Sequence, residues 1–475
     1  SPYYKSTGTI NVYVSNNDEE YLTSQSYTYY ETQDVSALSN YLGEVGGSTL
    51  VTVTGSNFIS GTLCRFGSTT VTGTISSATQ MTCLTPAAAS AGVVNLQVTV
   101  NEQQYSSTVI EFEYTADVSL SSITPSLGAV TGRTSVTLTG SAFIQSVQNE
   151  CKFGSTIVTA QYLSSTKLMC IAPPASSTGD VTVQISVNSQ DFVGSQTFTY
   201  RSVWTISSVS PTYSPLGGQI TFTVTGTNFL NPSYCKIGVT VVTATYTSAT
   251  SVKCLAPAVS APGKYGLKVS PNLKNFDADN VIVTYELLPV VEHAVPDIGR
   301  TSGTNDVTVH GRFFSSSSNV KFGSNAGTLQ QYINTTCVVV RSASSSSAGS
   351  APITLSTPGG HYGGDAAPYT FVSIGLSAVS PTKAQKEGHI MLTLTGTNFR
   401  PSKYLKVWYG TIKTSFLVIS STQALFRAPE YSSTGNVDIV IGTSTEAYAT
   451  ISNGIEVVAT ISVTSINPNR GFING

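Results

Sequence analysis

An eight-residue phrase, VTVTGSNF at Val51–Phe58, returns in this chain as VTLTGSAF, FTVTGTNF, VTVHGRFF and LTLTGTNF. Its anchoring glycines are Gly55, Gly140, Gly226, Gly311 and Gly396, so the steps are 85, 86, 85 and 85 residues. An active site gains nothing from five copies of one phrase, whereas structural units are copied at a fixed period. At 475 residues the chain is also too long for a single hydrophobic core. Five units of this period fill most of it and leave a piece at each end.

Within a unit the pattern is that of strands. Four openings read Ile123-Thr124-Pro125, Val209-Ser210-Pro211, Val379-Ser380-Pro381 and, past the fifth unit, Ile466-Asn467-Pro468. Ala294-Val295-Pro296 is a weaker copy, and the first unit has Leu38-Ser39-Asn40 instead. Proline cannot donate to a ladder and suits a strand edge or end. After a glycine-bearing turn, apolar residues alternate with Thr, as in Val136-Thr137-Leu138-Thr139. A period of two marks a strand with one face buried. We expect that strand to end at its glycine, where a turn carries no Cβ penalty. Phe58, Phe143, Phe229, Phe314 and Phe399, three residues on, are expected core plugs. Two more alternating strands close each unit, the last reaching Tyr114, Tyr200, Tyr285 or Phe371. Helical periodicity is absent. About seven short strands per unit read as an immunoglobulin-like β-sandwich, so the fold class is all-β.

The cysteines give an independent reading. They fall at 64 and 83, 151 and 170, and 235 and 254, each pair 19 apart at matching places in units one to three. Unrelated thiols would not keep that spacing, so we read disulfides Cys64–Cys83, Cys151–Cys170 and Cys235–Cys254. Unit five has Val407 and Phe426 at these positions, also 19 apart, which implies that both points face the core. Such a bridge stabilises a unit by roughly 3 kcal/mol in the chain-entropy model. Three of them point to an oxidising, extracellular or cell-surface location.

The order I-x-P, Gly-Gly turn, V-T-[VL]-T-G-x-x-F, C-[KR]-F-G and C-x-[AT]-P resembles the IPT/TIG family of immunoglobulin-like domains, in its extracellular, disulfide-bearing form. The resemblance covers residues 33–460 and implies binding or spacer modules without enzymatic activity. Units four and five depart from it by lacking the full cysteine pair, and unit one by lacking the proline. The expected units are 33–117, 118–202, 203–288, 289–374 and 375–460. Residues 1–32 read as the C-terminal part of another such unit: GTINVYVSNND from Gly8 aligns with GDVTVQISVNS from Gly179, and YTYY with FTYR. Residues 461–475 read as the opening strand and turn of a further one. Half-sandwiches expose strand edges, so the sequence suggests either a longer parent chain or strand exchange between copies. Together the two end pieces still lack the middle strands. With no initiating Met and no signal peptide, the sequence reads as a processed chain or a segment of a longer one. Linkers are almost absent, as in FTYRSVWTISSVSP, which predicts a stiff rod on the order of 200 Å long.

Little here suggests catalysis. The four histidines, His293, His310, His361 and His389, never share a repeat position, and no nucleophile-elbow, zinc-protease or P-loop motif occurs. No catalytic residue, metal site or cofactor is expected. Asp277 and Asp279 are an acidic pair of the kind a weak calcium site would use, with no further ligand visible. Cys337, whose partner position holds Val320, reads as an inert buried thiol or an intermolecular bridge. Asn334 opens the one N-glycosylation sequon, Asn334-Thr335-Thr336. The run beginning at Ser342 could carry O-linked sugar.

Charged residues are only 10% of the chain and the net charge is −2, with no basic cluster. That argues against nucleic acid and leaves a surface that tolerates close self-association. No run of 18 apolar residues marks a membrane span. The expected function is an extracellular structural rod packing into a filament or surface appendage. Its partners would be copies of itself or of the same array, through filament contacts or strand exchange by residues 1–32 and 461–475, and glycans. The alternative is an adhesin or receptor ectodomain for a protein or glycan ligand, with the glycine-rich stretch Ser356–Asp365 of unit four as its distinctive surface. Two weaker readings are a spacer within a polysaccharide-processing enzyme and a Rel-type DNA-binding module; acidity and disulfides disfavour the latter.

Overall fold

The computed structural model describes residues 6–21, 23–276, 281–467 and 469–470. The described residues are all β, turn and loop, without a helix. Five β-sandwich units follow one another along the chain.

The second unit shows the plan. Its strands lie in the order Ser119–Thr124, Ser135–Ser141, Lys167–Ile171, Thr156–Ser164, Glu150–Phe153, Gly179–Ser186, Val193–Arg201 and Leu127–Ala129. The long strand Thr156–Ser164 serves two sheets. Residues 156–159 pair with Glu150–Phe153, and residues 160–164 pair with Lys167–Ile171 across a bulge at Tyr162/Ser164. A strand that changes sheet in this way turns the corner of the sandwich. Units one and three share this order. In unit five the long strand is broken into Ile412–Thr414 and Leu417–Ser420, which leaves separate four- and five-stranded sheets. In unit four Pro352 separates Gly349–Ser350 from Ile353–Leu355, which pair in different sheets.

The repeated phrase acquires its physical meaning here. The glycine does not end its strand; Gly55, Gly140, Gly226 and Gly311 lie inside Leu50–Ser56, Ser135–Ser141, Thr221–Thr227 and Asp306–Arg312. A Cβ at Gly140 would run into the carbonyl oxygen of Ser119 and sit 2.6 Å from the Phe143 ring. The other four glycines meet the same pair of obstacles. The missing side chain thus lets the opening strand and the phenylalanine close over one point. The turn comes two residues later, where Asn57, Ala142, Asn228, Phe313 and Asn398 take positive φ. All five phenylalanines are buried.

Each core gathers inward residues of both sheets, as in Val136, Leu138, Phe153, Leu168, Val183, Ile185 and Phe198 of unit two. The disulfides Cys64–Cys83, Cys151–Cys170 and Cys235–Cys254 cross between sheets inside these cores, with Cα atoms 6.4, 6.4 and 6.1 Å apart. Val407 and Phe426 fill the equivalent points of unit five. Unit four uses Val320 and Val340, since Val340 stands opposite Val307 as Cys170 stands opposite Val136.

Candidate functional site

The units meet through one recurring contact. After the turn that follows its opening strand each unit lays a three-residue strand parallel to its own last strand, such as Leu42–Glu44 beside Glu113–Thr115. A loop of the next unit then closes on that strand. At the first joint the Asn40 side-chain amide donates to the carbonyl of Asn188 at 3.0 Å, and the Asn188 amide donates back to the carbonyl of Leu42 at 3.2 Å. The Thr49 hydroxyl donates to Asp191 at 2.6 Å. Leu42 itself is counted in the core of unit two.

The second joint repeats this with different residues. Asn272 donates to the carbonyl of Leu127 at 2.9 Å, Thr134 donates to Asn275 at 2.6 Å, and Ala129 enters the core of unit three. Both loops are folded by the same local bonds, from Ser186 to Asn188 and from Ser270 to Asn272. The pattern S-x-N-x-x-[DN] was visible in the sequence as SVNSQD and SPNLKN. Its role was missed because loop polarity alone does not reveal a partner.

At the third joint the loop is replaced by the glycine-rich stretch of unit four. Gly359 N–H donates to Glu286, and a His361 ring nitrogen lies 3.3 Å from the carbonyl of Tyr213. A Cβ on Gly359 would collide with the Tyr213 side chain. The stretch singled out as a ligand surface is therefore, in its Gly359–His361 part, a joint. At the fourth joint the Tyr448 hydroxyl donates to the carbonyl of Ile298 at 3.2 Å, Arg300 pairs with Glu446 at 3.6 Å, and Ile298 and Val372 enter the core of unit five.

The joints differ in charge. Burial, with Asp117 and Asp191 close by, pushes the Glu44 carboxyl up to about 7. One of its oxygens is buried without a hydrogen-bond partner. The matching points of the second joint are the uncharged Ala129 and Asn275. At the fourth, burial also raises Glu446, but Arg300 opposes the shift.

The remaining residues singled out from sequence are scattered. Cys337 is half-buried and unbridged, on the outer row opposite His310 and away from the core point that Val340 occupies. His310 stacks on His293 at 4.6 Å. No three metal-ligating side chains converge among the described residues, and Asp277 and Asp279 lie outside them. Asn334 is exposed at the end of Asn325–Asn334, its side-chain amide oxygen accepting from the Thr336 N–H and hydroxyl. Ser342 is buried and bonded to Asn305, so only its exposed neighbours Ser344, Ser346 and Ser347 are open to modification.

Comparison with known proteins agrees with the repeat. The chain is similar to the plexin A4 extracellular region, at 13% identity over 85% of this chain and 48% of that one, with a TM-score of 0.27. A second plexin A4 chain matches at 13% identity over 93% and 62%, with a TM-score of 0.26, so the chain spans about half to three-fifths of these proteins. The Escherichia coli adhesin FdeC matches at 13% identity over 54% of this chain and 99% of its own, with a TM-score of 0.19. The model of the IPT/TIG domain matches five times, at residues 35–114, 119–200, 205–285, 289–372 and 376–456. These five matches cover most of the chain, which therefore belongs to the IPT/TIG domain family.

Proposed function

We propose that this chain is a non-enzymatic, extracellular structural rod that assembles lengthwise with copies of itself into a filament or surface appendage. The observation that carries the reading is the joint. All four joints bond a side chain of one unit to the backbone of its neighbour, and the first, second and fourth also share core residues, which supports a chain restrained from bending. A binding module needs one exposed site, whereas a chain fixed at every joint suits transmission of length and force. The low charge favours close lateral packing, and the disulfides favour an oxidising compartment. Within this reading the units run over 33–117, 118–202, 203–288, 289–374 and 375–460, and Asn334 carries an N-linked glycan.

An adhesin or receptor ectodomain needs a distinctive ligand surface, and the stretch best suited to provide one is partly committed to the third joint. Electron microscopy of native, unheated material decides between the two. Regular filaments whose axial repeat is a multiple of the unit length uphold the structural rod. Separate rods tethered by one end to a surface would replace it with the adhesin.

A further inference from the structure

We propose that unit five carries a binding site for a hexose residue of a glycan, with the ring of Trp408 as its platform. A rod has no need of such a site, so it adds a ligand to the reading above and does not depend on filaments forming.

The site is recognised by a departure from a pattern. In units one to four the residue after the first core point, Cys64, Cys151, Cys235 or Val320, is basic. Each of these cations lies over an aromatic ring at the end of its own unit's joint loop. The Arg65 guanidinium is 4.4 Å from the centre of the Tyr105 ring, and the Lys321 ammonium is 4.1 Å from that of Tyr362. Lys152 and Lys236 stand 5.4 and 5.5 Å from Phe192 and Phe276. The face of a ring attracts a cation through its quadrupole, so in these units the sheet and the loop close on each other. Unit five breaks both halves of the pattern. Val407 is followed by Trp408, on the strand Lys406–Tyr409. The ring position, six residues after Thr99, Ser186, Ser270 and Ser356, falls six after Gly442 on Tyr448. Tyr448 instead gives its hydroxyl to the carbonyl of Ile298 across the fourth joint. Trp408 is left half-buried beside a groove of about 280 Å³ between the sheet and the loop Thr443–Ala447. The chain has one other tryptophan, Trp204, which is buried in unit three with its indole N–H donating to the carbonyl of Val269.

The lining names the class of ligand. Trp408 stands between Lys413 and Val440 in the sheet register, with the Lys413 ammonium 5.8 Å from its ring centre. Beyond Trp408 and Val440 the groove turns polar, with the exposed Ser444 and Thr445 and the carboxylate of Glu446 along the loop. An apolar side chain or lipid tail seated here would bury those polar groups without hydrogen bonds, which is costly. A pyranose ring suits both halves. The C–H bonds of one face rest on the indole, and the hydroxyls around its edge bond to Ser444, Thr445 and Glu446. Ligand pockets for larger molecules start at about 300 Å³, so this groove has the size for a single sugar residue, with the rest of a glycan running out through its open side. The loop wall is held in place before a ligand arrives, because Glu446 pairs with Arg300 at 3.6 Å and Tyr448 is tied to Ile298. Little ordering is then left to oppose binding.

Nitrogen-15 NMR of the whole chain tests the site, since two tryptophans give two indole N–H signals. Maltohexaose, cellohexaose and chitohexaose are titrated in turn. At least one should move the Trp408 signal saturably and leave that of the buried Trp204 in place. Trp408→Lys installs the kind of residue that Lys152, Lys236 and Lys321 provide in its siblings, so the unit keeps its fold. By calorimetry the same sugar should bind this variant roughly tenfold more weakly or not at all. No movement of the Trp408 signal with any of the three sugars, or equal binding by Trp408→Lys, overturns the site.

Discussion

Asn188 reaches across from unit two and donates its side-chain amide to the backbone carbonyl of Leu42, while the side chain of Asn40 donates to the carbonyl of Asn188. This reciprocal pair of amides holds two units in one orientation, since each bond fixes both a side chain and a backbone. Replacing Asn188 by Ala removes the donor to Leu42 and to Asp191, and with it the side-chain oxygen that accepts from Ser186, Gln190 and Asp191 and folds the loop. The bond across the joint is worth about 1 kcal/mol, and the loop that presents it is loosened as well. Spin labels placed on units one and two should then show a broadened distance distribution in Asn188→Ala. An unchanged distribution would mean that the shared core residue Leu42 alone fixes the joint.

The same joint should respond to pH. Burial, with Asp117 of its own unit and Asp191 across the closed joint, holds the Glu44 carboxyl up at about 7, above its ordinary value of 4.5. A raised carboxyl pKa means that the closed joint binds the proton more tightly than the open one. Closure is therefore favoured in mild acid and weakens as pH rises through about 7. Because Glu44 is only half buried, solvent screening limits the effect to on the order of 1 kcal/mol. The spin-label distance should broaden between pH 5 and 8.5, and Glu44→Gln should abolish that change. A matching change at the joint of units two and three, where Ala129 and Asn275 are neutral, would contradict the assignment.

Reduction should divide the chain thermally. Breaking the bridges of units one to three costs each roughly 3 kcal/mol by the loop-entropy estimate, while units four and five hold Val320/Val340 and Val407/Phe426 in their cores instead. Scanning calorimetry with and without reductant should show part of the heat absorption moving down and part staying in place. A uniform shift of the whole transition would indicate that the joints make all five units unfold together.

Gly140→Ala tests the repeated phrase. The new methyl collides with the Ser119 carbonyl and crowds the ring of Phe143, an overpacking of the kind that costs about 1–3 kcal/mol. Denaturant unfolding of unit two should show the loss. Stability equal to the parent chain would mean that the opening strand can shift aside without penalty.

Much of this architecture is legible in sequence because it is enforced locally and often. Alternation, the 85-residue period and the paired cysteines each follow from a burial rule that acts in every unit. The glycine of the phrase was legible as a necessity but not as a mechanism: its backbone is ordinary strand, and the constraint comes from a carbonyl some twenty residues earlier in the chain. Cys337 misled for a related reason. It lies three residues before Val340, so nearness in sequence suggested the core point while register puts it on the outer row opposite His310. The joints were the least legible, because Asn188 and Leu42 are 146 residues apart and nothing in either neighbourhood names the other.

The parallel pairing of Leu127–Ala129 with Thr199–Arg201 has a mechanical consequence. Tension along the chain enters unit two beside the first of these segments and leaves beside the second, pulling them in opposite directions along their common axis. Their hydrogen bonds are then strained together in shear, where an antiparallel edge would peel apart one bond at a time. Each unit should therefore yield abruptly and at high force, and a reducible bridge in units one to three caps how far it can extend once it does.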